Sequence, residues 1–582
     1  MATNHLLQEF PPVDTQAWEE VIRKDLKGAD YKEKLIWQTE EGLAVKPYYR
    51  GEDVAGLEFP NAAPGAFPYA RGSRSTGEWR IREEIDAVDP EEANREAHRA
   101  VIAGAEEISF RNVVIENASA LGMLLADLEE IPVHLQKAGE TQLRLLIERL
   151  NGQQRLSLVS TGWNPHTNLD FAAEVVAAAL PKLVPFTIHG DEFEESGATA
   201  AEEVGFTLAA GIDLLAGMQE RNVDADRAAA SISFSFAIGA NYFFQIAKLR
   251  AFRMVWARAV ESFGGTHESA KARIHARTSR WNETIYDPHV NILRGTTEAM
   301  SAILGGADSI SVAPFDECYK TPDEASRRLA RNTLIILKQE ALLSRVADPG
   351  AGSYCLEVIT DFIAREGWRS MQGIEAAGGY RKAQADGLIA QALKRSMAAR
   401  EEAVVSRRRI FTGTNQHANF SEKALDRIDL SHLSNKPRGA QIYEQLRLRT
   451  ERHAAKTGKS PRVLLARIGD PKMRSARSNY AANFFGCAGF ALVTQRFSSA
   501  DGIAASNADL IVLCSSDPEY LALATEVISK LKALGRETPV IVAGYPDSAE
   551  QLQAAGVADF VHMRSNPIEL LAKWQRRLGI KD

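Results

Sequence analysis

The stretch Arg462-Val463-Leu464-Leu465-Ala466-Arg467-Ile468-Gly469-Asp470-Pro471-Lys472-Met473-Arg474-Ser475 decides the fold of the C-terminal part of the chain. Its first half is apolar and predicts a buried strand. The Gly469-Asp470-Pro471 step predicts a sharp turn, and a helix start follows it. A strand, a tight turn and a helix in this order are typical of the first unit of a βαβ domain.

Further apolar strands are predicted downstream of this stretch, with helices between them. Five βα units joined by short loops predict a flavodoxin-like doubly wound sheet over residues 461–582. The other strands are predicted at Phe490–Gln495, Asp509–Ser515, Pro539–Gly544 and Asp559–Met563, with a helix at Pro518–Leu534.

Upstream, short β-rich runs alternate with helical runs between Trp79 and Pro314. Eight strands in strict alternation with helices predict a (β/α)8 TIM barrel, which we assign to residues 61–390. The predicted strands are Trp79–Ile85, Glu107–Asn112, Ile131–Lys137, Arg155–Thr161, Phe186–Gly190, Ser231–Phe236, Arg273–Ser279 and Ser309–Pro314, and the clearest helices are Glu91–Gly104, Ala198–Met218, Ala240–Phe263 and Ser326–Leu343.

Two segments do not fit either domain. Residues 1–60 carry several prolines and little long periodicity, which predicts an arm laid over other surfaces. Residues 391–460 predict a polar helical linker with many arginines, among them Arg447, Arg449 and Arg452. Such a linker is either a solvated connector, the favoured interpretation, or an interface for a partner.

Composition limits the classes of function. The 582 residues carry a formal charge of −7, which gives no basic surface for nucleic acid. No apolar run is long enough for a membrane span, and residues 1–10 lack the pattern of a signal peptide. The four cysteines fit neither a disulfide framework nor a zinc site. We therefore expect a cytoplasmic protein without nucleic-acid or membrane partners.

Several motifs follow one another in a recognisable order. They are Phe67-Pro68-Tyr69-Ala70-Arg71-Gly72, Gln245-Ile246-Ala247-Lys248-Leu249-Arg250, Arg277-Thr278-Ser279-Arg280-Trp281, Ala330-Arg331-Asn332-Thr333 and Arg345-Val346-Ala347-Asp348-Pro349. With the stretch at 462–475, they resemble the methylmalonyl-CoA mutases from about residue 40 to the end of the chain. The resemblance implies a barrel followed by a cobalamin-binding domain.

The resemblance also implies a reaction. In this family adenosylcobalamin breaks homolytically, and the radical starts the interconversion of methylmalonyl-CoA and succinyl-CoA. The cofactor carries the difficult step, while the protein binds, orients and excludes water. Arginines hold the substrate carboxylate and CoA, because guanidinium geometry suits oxyanions.

The cobalamin-binding residues depart from the family pattern. The family loop reads Asp-x-His-x-x-Gly, and its histidine ligates cobalt. Here Asp470 is retained, but Lys472 replaces the histidine and Ser475 the glycine. A protonated lysine has no lone pair for a metal, so we expect no metal ligand here. Two further loops differ, at Ser515-Ser516-Asp517 and Ala543-Gly544, where the family has Ser-x-Leu and Gly-Gly.

The barrel positions depart from the pattern as well. Arg74 stands where the family has a tyrosine, and Asp191-Glu192 where it has Tyr-His. Ser231 replaces an arginine, and no counterpart of a further substrate-binding arginine is visible. Glu317 matches a glutamate that faces the adenosyl group in the family.

These replacements imply the small (beta), non-catalytic subunit of a heterodimeric mutase. A large (alpha) catalytic subunit would be its partner and would hold the adenosylcobalamin. One alternative is an active acyl-CoA mutase with an altered substrate. Another is a binding or chaperone-like partner of cobalamin enzymes, although no Walker loop of the GTPase chaperones is present.

Overall fold

A computed structural model describes residues 13–152, 157–433 and 437–581. The arm predicted at 1–60 is described from residue 13 onward, and residues 1–12 lie outside the described range. It consists of three helices and a two-stranded antiparallel hairpin: α1 (Thr15–Asp25), α2 (Tyr31–Leu35), β1 (Trp37–Gln38), β2 (Ala44–Val45) and α3 (Gly51–Val54).

Eight parallel strands of the described residues close a barrel, with β10 paired to both β3 and β9. The predicted TIM barrel is confirmed, and all eight predicted strands overlap observed ones. Arg155 and Leu156 of the fourth predicted strand lie outside the described residues, and Gly190 begins a helix rather than ending a strand. The strands are β3 (Arg80–Ile85), β4 (Glu107–Phe110), β5 (Val133–Leu135), β6 (Val159–Trp163), β7 (Leu183–His189), β8 (Ile232–Ile238), β9 (Ile274–Thr278) and β10 (Ser309–Ser311).

Helices surround the barrel and extend beyond it. The barrel helices are α4 (Pro90–Ile102), α5 (Ala118–Leu124), α6 (Glu140–Gly152), α7 (Leu169–Ala177), α8 (Gly190–Glu195), α9 (Ala200–Gln219), α10 (Ala225–Ala230), α11 (Tyr242–Ser262), α12 (Val290–Leu304) and α13 (Glu324–Ile335), followed by α14 (Tyr354–Ala376), α15 (Tyr380–Ala385), α16 (Leu388–Val405) and α17 (Gln441–Thr457). No helix in the described part of the chain is both long and apolar enough to cross a membrane.

The C-terminal domain is a parallel sheet in the order β12-β11-β13-β14-β15, which confirms the flavodoxin-like prediction. Apolar residues cover both faces of the central strands, as a doubly wound sheet requires. Its elements are β11 (Arg462–Arg467), α18 (Pro471–Gly486), β12 (Ala491–Arg496), α19 (Ala500–Ala504), β13 (Leu510–Cys514), α20 (Tyr520–Ala533), β14 (Val540–Val542), α21 (Ala549–Ala555), β15 (Asp559–Phe560) and α22 (Pro567–Arg577).

The linker packs against both domains, so the favoured interpretation as a solvated connector was wrong for much of it. Trp281 of the barrel is buried in one core with Phe411 and Tyr443 of the linker. Arg447, 2% exposed, donates to the carbonyls of Asn419 at 2.5 Å and Glu422 at 2.6 Å. Burial forces these polar groups to find partners within the chain.

A buried group of four charges joins the segment before the barrel to the barrel helix α11 and to the chain at and before α14. Arg71 Nη1 lies 2.6 Å from Glu357 Oε1 and 3.0 Å from Asp348 Oδ2. Arg250 Nη2 of α11 lies 2.9 Å from Glu357 Oε2 of α14. All four side chains are at most 5% exposed. Charges buried this deeply are tolerated only when each is paired.

We predict that Arg71→Met destabilises the barrel by about 3–5 kcal/mol, because it leaves buried carboxylates with one fewer counter-charge. Urea unfolding followed by circular dichroism measures this change. The matched control is Arg369→Met, which removes an exposed pair with Glu366 and should cost less than about 1 kcal/mol. Equal losses in both variants would contradict a special role for the buried group.

Candidate functional site

Polar side chains line the interior of the barrel. His134 Nδ1 lies 2.9 Å from Ser160 Oγ, and His275 Nδ1 lies 2.9 Å from Ser309 Oγ. Burial lowers the pKa of both histidines well below the usual value, so both rings are neutral near pH 7. Ordinary TIM barrels are filled with branched aliphatic residues. This interior therefore has the polarity of a binding channel rather than of a packed core.

A cavity of about 240 Å³ opens at the N-terminal end of the strands. Four arginines line it, Arg74, Arg80, Arg82 and Arg273. Arg74 Nη2 lies 3.0 Å from Oδ1 of Asp308, the residue before β10. Glu107, paired with Arg82, and Asp308 also line the cavity, so its arginines outnumber its carboxylates by four to two.

The structure separates the four barrel positions that the sequence analysis grouped together. Arg74 and Ser231 lie at the N-terminal end, where the Ser231 hydroxyl donates to the Ala228 carbonyl at 2.6 Å. Asp191 and Glu192 lie at the opposite end, in the first turn of α8 after β7. The replacements therefore affect both ends of the barrel and do not form one cluster.

Asp191 forms an ion pair with a histidine at the end of β7. Its Oδ1 lies 3.2 Å from His189 Nδ1. Burial alone would lower the pKa of His189, but the Asp191 carboxylate outweighs burial and raises it. Burial likewise opposes ionisation of Asp191, and the histidine outweighs it, so the pKa of Asp191 is lowered. Each partner therefore favours the charged form of the other, and the exposed Glu192 adds a further carboxylate beside the pair.

Glu317 lies at the same mouth, bound by three arginines. Arg111 Nη1 is 2.8 Å from Glu317 Oε1, Arg277 Nη2 is 2.6 Å from Oε2, and Arg280 also donates to Oε1. Arg277 Nε in addition donates to Glu84 Oε1 at 2.9 Å. Burial would raise the pKa of Glu317, but the guanidiniums outweigh it and hold the pKa well below its usual range.

Sequence analysis did not assign Arg111 and Arg280 to this mouth. Both lie just beyond the C-terminal end of a barrel strand, β4 and β9. Functional side chains of TIM barrels come from these strand ends, so the position of the arginines was the available signal.

In the C-terminal domain, Asp470 and Lys472 belong to the start of a helix. Asp470 is the N-cap of α18, and its Oδ1 accepts a hydrogen bond from Met473 N at 2.7 Å. Lys472 is exposed in the first turn of α18. Ser475 lies one turn further along the same helix. The segment is thus a capped helix rather than an extended loop.

Ser515 directly follows β13 and takes part in a group of hydrogen bonds. Its hydroxyl donates to Glu519 Oε2 at 2.6 Å, and its backbone N–H donates to the Tyr520 hydroxyl at 3.1 Å. Tyr520 is fully buried and donates to the Ala543 carbonyl at 2.6 Å. The side chains of Glu519 and Tyr520, which sequence analysis did not single out, therefore occupy the space beside Ser515.

Gly544 follows β14 and is covered by an ion pair. Arg477 Nη2 lies 2.9 Å from Asp517 Oδ1. A Cβ atom on Gly544 would lie 3.2 Å from Arg477 Cζ, which shows how closely the pair approaches the backbone. Within the ranges that the structure covers, no group of three or more potential metal ligands occurs, and the four cysteines are free thiols.

A polar-lined (β/α)8 barrel joined to a flavodoxin-like domain is the architecture that the resemblance to cobalamin-dependent mutases implied. The sequence model of the family "Methylmalonyl-CoA mutase" matches residues 38–123 and 165–473. This chain belongs to the methylmalonyl-CoA mutase family, a family of isomerases.

Full-length relatives agree with this assignment. The chain is 37% identical to a methylmalonyl-CoA mutase small subunit of Porphyromonas gingivalis over 99% of both chains. It is 31% identical to the small subunit of Streptomyces virginiae, covering 99% of this chain and 98% of the relative. It is also 29% identical to the large subunit of Streptomyces virginiae, over 78% of this chain and 69% of the relative.

We predict that Asp470→Ala destabilises the C-terminal domain by about 1 kcal/mol, because the first turn of α18 loses its cap. Asp470→Asn, the matched control, keeps an oxygen that accepts from Met473 and should change stability little. Urea unfolding of the two variants measures both effects. A loss in Asp470→Asn as large as in Asp470→Ala would show that the charge, and not the cap, is what matters.

Proposed function

We propose that this chain is the small (beta) subunit of a heterodimeric methylmalonyl-CoA mutase in the cytoplasm. The complex interconverts methylmalonyl-CoA and succinyl-CoA by adenosylcobalamin radical chemistry. In this proposal the large (alpha) subunit binds the cofactor and performs catalysis, while the present chain supports it. The observation that carries the proposal is that this chain's own side chains fill the places where a cofactor would bind.

The loop after β11 supports the proposal first. A cobalt ligand needs a free lone pair, which an imidazole offers and the ammonium group of a lysine does not. Asp470, which the resemblance would place beside a histidine, is used as a helix cap instead. These residues do not fit cobalamin ligated in the way the family pattern implies.

The crevice at the carboxyl ends of the C-terminal strands also supports the proposal. Glu519 and Tyr520 fill the space beside Ser515, and the Arg477–Asp517 pair covers Gly544. A buried nucleotide tail needs small residues and open space at these positions. The side chains present here do not fit such a tail.

The residues at the C-terminal mouth of the barrel support the proposal as well. Glu317, expected to face an adenosyl group, is instead bound to Arg111, Arg277 and Arg280. Nearby, the Glu192 carboxylate would repel the carboxylate of an acidic substrate. An arrangement of this kind stabilises the mouth and has no evident role in catalysis.

A fold can persist without its catalytic site, because fold and site are specified by different residues. In this proposal the chain contributes a surface that binds the large subunit. The arm offers such a surface. Helix α1 contains no buried residue, and its Trp18 and Val21 are 49% and 60% exposed. Although Trp18 stacks on Tyr48, about half of its surface is exposed, and an amphipathic helix with exposed apolar side chains is suited to packing against a partner.

We predict that the isolated chain binds hydroxocobalamin and adenosylcobalamin weakly or not at all. Lys472→His should not restore tight binding or mutase activity, because the crevice and the barrel mouth remain filled. Absorbance titration and an isomerase assay measure both properties, with the large subunit as the positive control. Stoichiometric, tight binding by the unmodified chain would favour the alternative of an active mutase with an altered substrate.

We further predict that deleting residues 1–40 weakens the complex with the large subunit and leaves the barrel folded. Subunits of common ancestry are expected to pair pseudo-symmetrically over roughly 2,000–5,000 Å². Gel filtration with the large subunit and circular dichroism measure pairing and folding.

A pair of point variants sharpens this test. The double variant Trp18→Ser/Val21→Ser should weaken pairing, whereas Ile102→Ser, at an 87% exposed residue of α4, should not. If the truncated chain still forms the heterodimer at nanomolar concentration, the arm does not hold the pair together.

A further inference from the structure

The sheet order of the C-terminal domain defines one special crevice. Strand β12 lies on one side of β11 and β13 on the other, so the connections leave β11 and β13 in opposite directions. In doubly wound sheets, ligands bind at this switch point, outside the carboxyl ends of the strands. Backbone N–H groups of the two loops commonly hold the anionic part of the ligand.

In this chain, donors from both loops converge on one carboxylate oxygen. Glu519 Oε2 accepts from Asp470 N at 3.2 Å, across the switch point from the loop after β11. It also accepts from Ser515 Oγ at 2.6 Å, Ser516 N at 3.1 Å and Ser516 Oγ at 2.5 Å. These hydrogen bonds lower the pKa of Glu519 to about 2, so the carboxylate is charged at neutral pH.

Local helix capping accounts for only part of this arrangement. Ser516 and Glu519 form a capping box at a short 3-10 turn, which explains the bond from Ser516 N. The bond from Asp470 N, 49 residues away in the sequence, has no place in a capping box. It makes the carboxylate a bridge between the loops after β11 and β13.

The backbone is shaped around this carboxylate. Gly469 has φ +75°, and a Cβ atom there would lie 2.6 Å from the Glu519 carboxyl carbon. A side chain at position 469 would therefore need both an unfavourable backbone conformation and the space that Glu519 occupies. Close approach of a glycine backbone to an anion is the arrangement that ligand-binding loops use for phosphates.

Two arginine side chains also lie near the crevice. Arg474 Nη1 donates to the Gly469 carbonyl at 2.8 Å, and Arg477 lies beside Gly544. Asp517 neutralises Arg477, whereas Glu519 supplies the carboxylate that faces the donors of the two loops. Removing the Glu519 charge would leave those donors without an anion in a more positive surrounding.

We propose that the switch-point crevice is an anion site occupied by the chain's own Glu519. Its carboxylate lies where the phosphate or carboxylate group of a ligand would bind, and it closes the crevice to nucleotide-type ligands. The inference concerns this chain alone and goes beyond the proposed function, since it holds whether or not the chain pairs with a large subunit.

Chemical rescue of the full-length variant Glu519→Ala tests the proposal. Acetate has the atoms that this substitution removes, and inorganic phosphate represents the ligand class. We expect the variant to have a lower Tm than the unmodified chain. Acetate or phosphate should raise that Tm in a saturable manner, because an anion that binds only the folded state stabilises it. Chloride at equal ionic strength should not.

Two further variants keep the test decisive. Glu519→Gln keeps the shape but not the charge, so we expect a lower Tm and no rescue, because the amide still fills the space. Glu537→Ala removes an exposed carboxylate of the same domain and should leave both Tm and anion response unchanged.

Three results would overturn the proposal. One is a Glu519→Gln variant as stable as the unmodified chain, a result that remains available even if Glu519→Ala does not fold. Another is a folded Glu519→Ala variant whose Tm does not respond to acetate or phosphate. The third is equal stabilisation of the unmodified chain by these anions, which would show that the crevice is open. None of these readouts depends on the large subunit or on mutase activity.

Discussion

The buried charges of Arg71, Arg250, Asp348 and Glu357 constrain the rest of the structure. They join the segment that leads into the barrel to α11 and α14, the helices that support one side of it. A charged side chain that is removed from water is stable only beside an opposite charge. The four charged side chains must therefore stay together, which constrains the segments that carry them. That arrangement fixes how the segment before β3 packs against α11 and α14.

Under the proposed function, the family fold persists while the site residues depart from the family pattern, because fold and site depend on different side chains. The outward faces of the barrel strands pack against helices and keep the fold. The inward faces remain polar, with the His134–Ser160 and His275–Ser309 pairs still bridging neighbouring strands. At the C-terminal mouth, however, arginines satisfy Glu317 within the chain. A polar group that is paired internally no longer depends on a ligand for its hydrogen bonds.

Polar groups are also paired within the chain at the carboxyl ends of the C-terminal strands. A doubly wound sheet creates backbone donors at its switch point whether or not a ligand is present. In this chain Glu519 supplies an anion to those donors, and Asp470 caps the helix beside them. Both carboxylates thus have structural partners in the chain. The proposed loss of cofactor binding is therefore also a gain of internal hydrogen bonds, which offers a physical reason for the domain to remain stably folded.

The sequence by itself determined the architecture, because period-two and helical patterns record which faces are buried. The eight barrel strands and the five strands of the C-terminal domain followed from that pattern, and Lys472 marked a loop that departs from the resembled family pattern. Only the tertiary structure decided which polar residues meet. It placed Arg74 and Ser231 at the opposite end of the barrel from Asp191 and Glu192, and it brought Arg111 and Arg280 to Glu317. It also set Asp470 N against Glu519, since contacts between residues far apart in sequence depend on strand order and loop geometry, which local patterns do not encode.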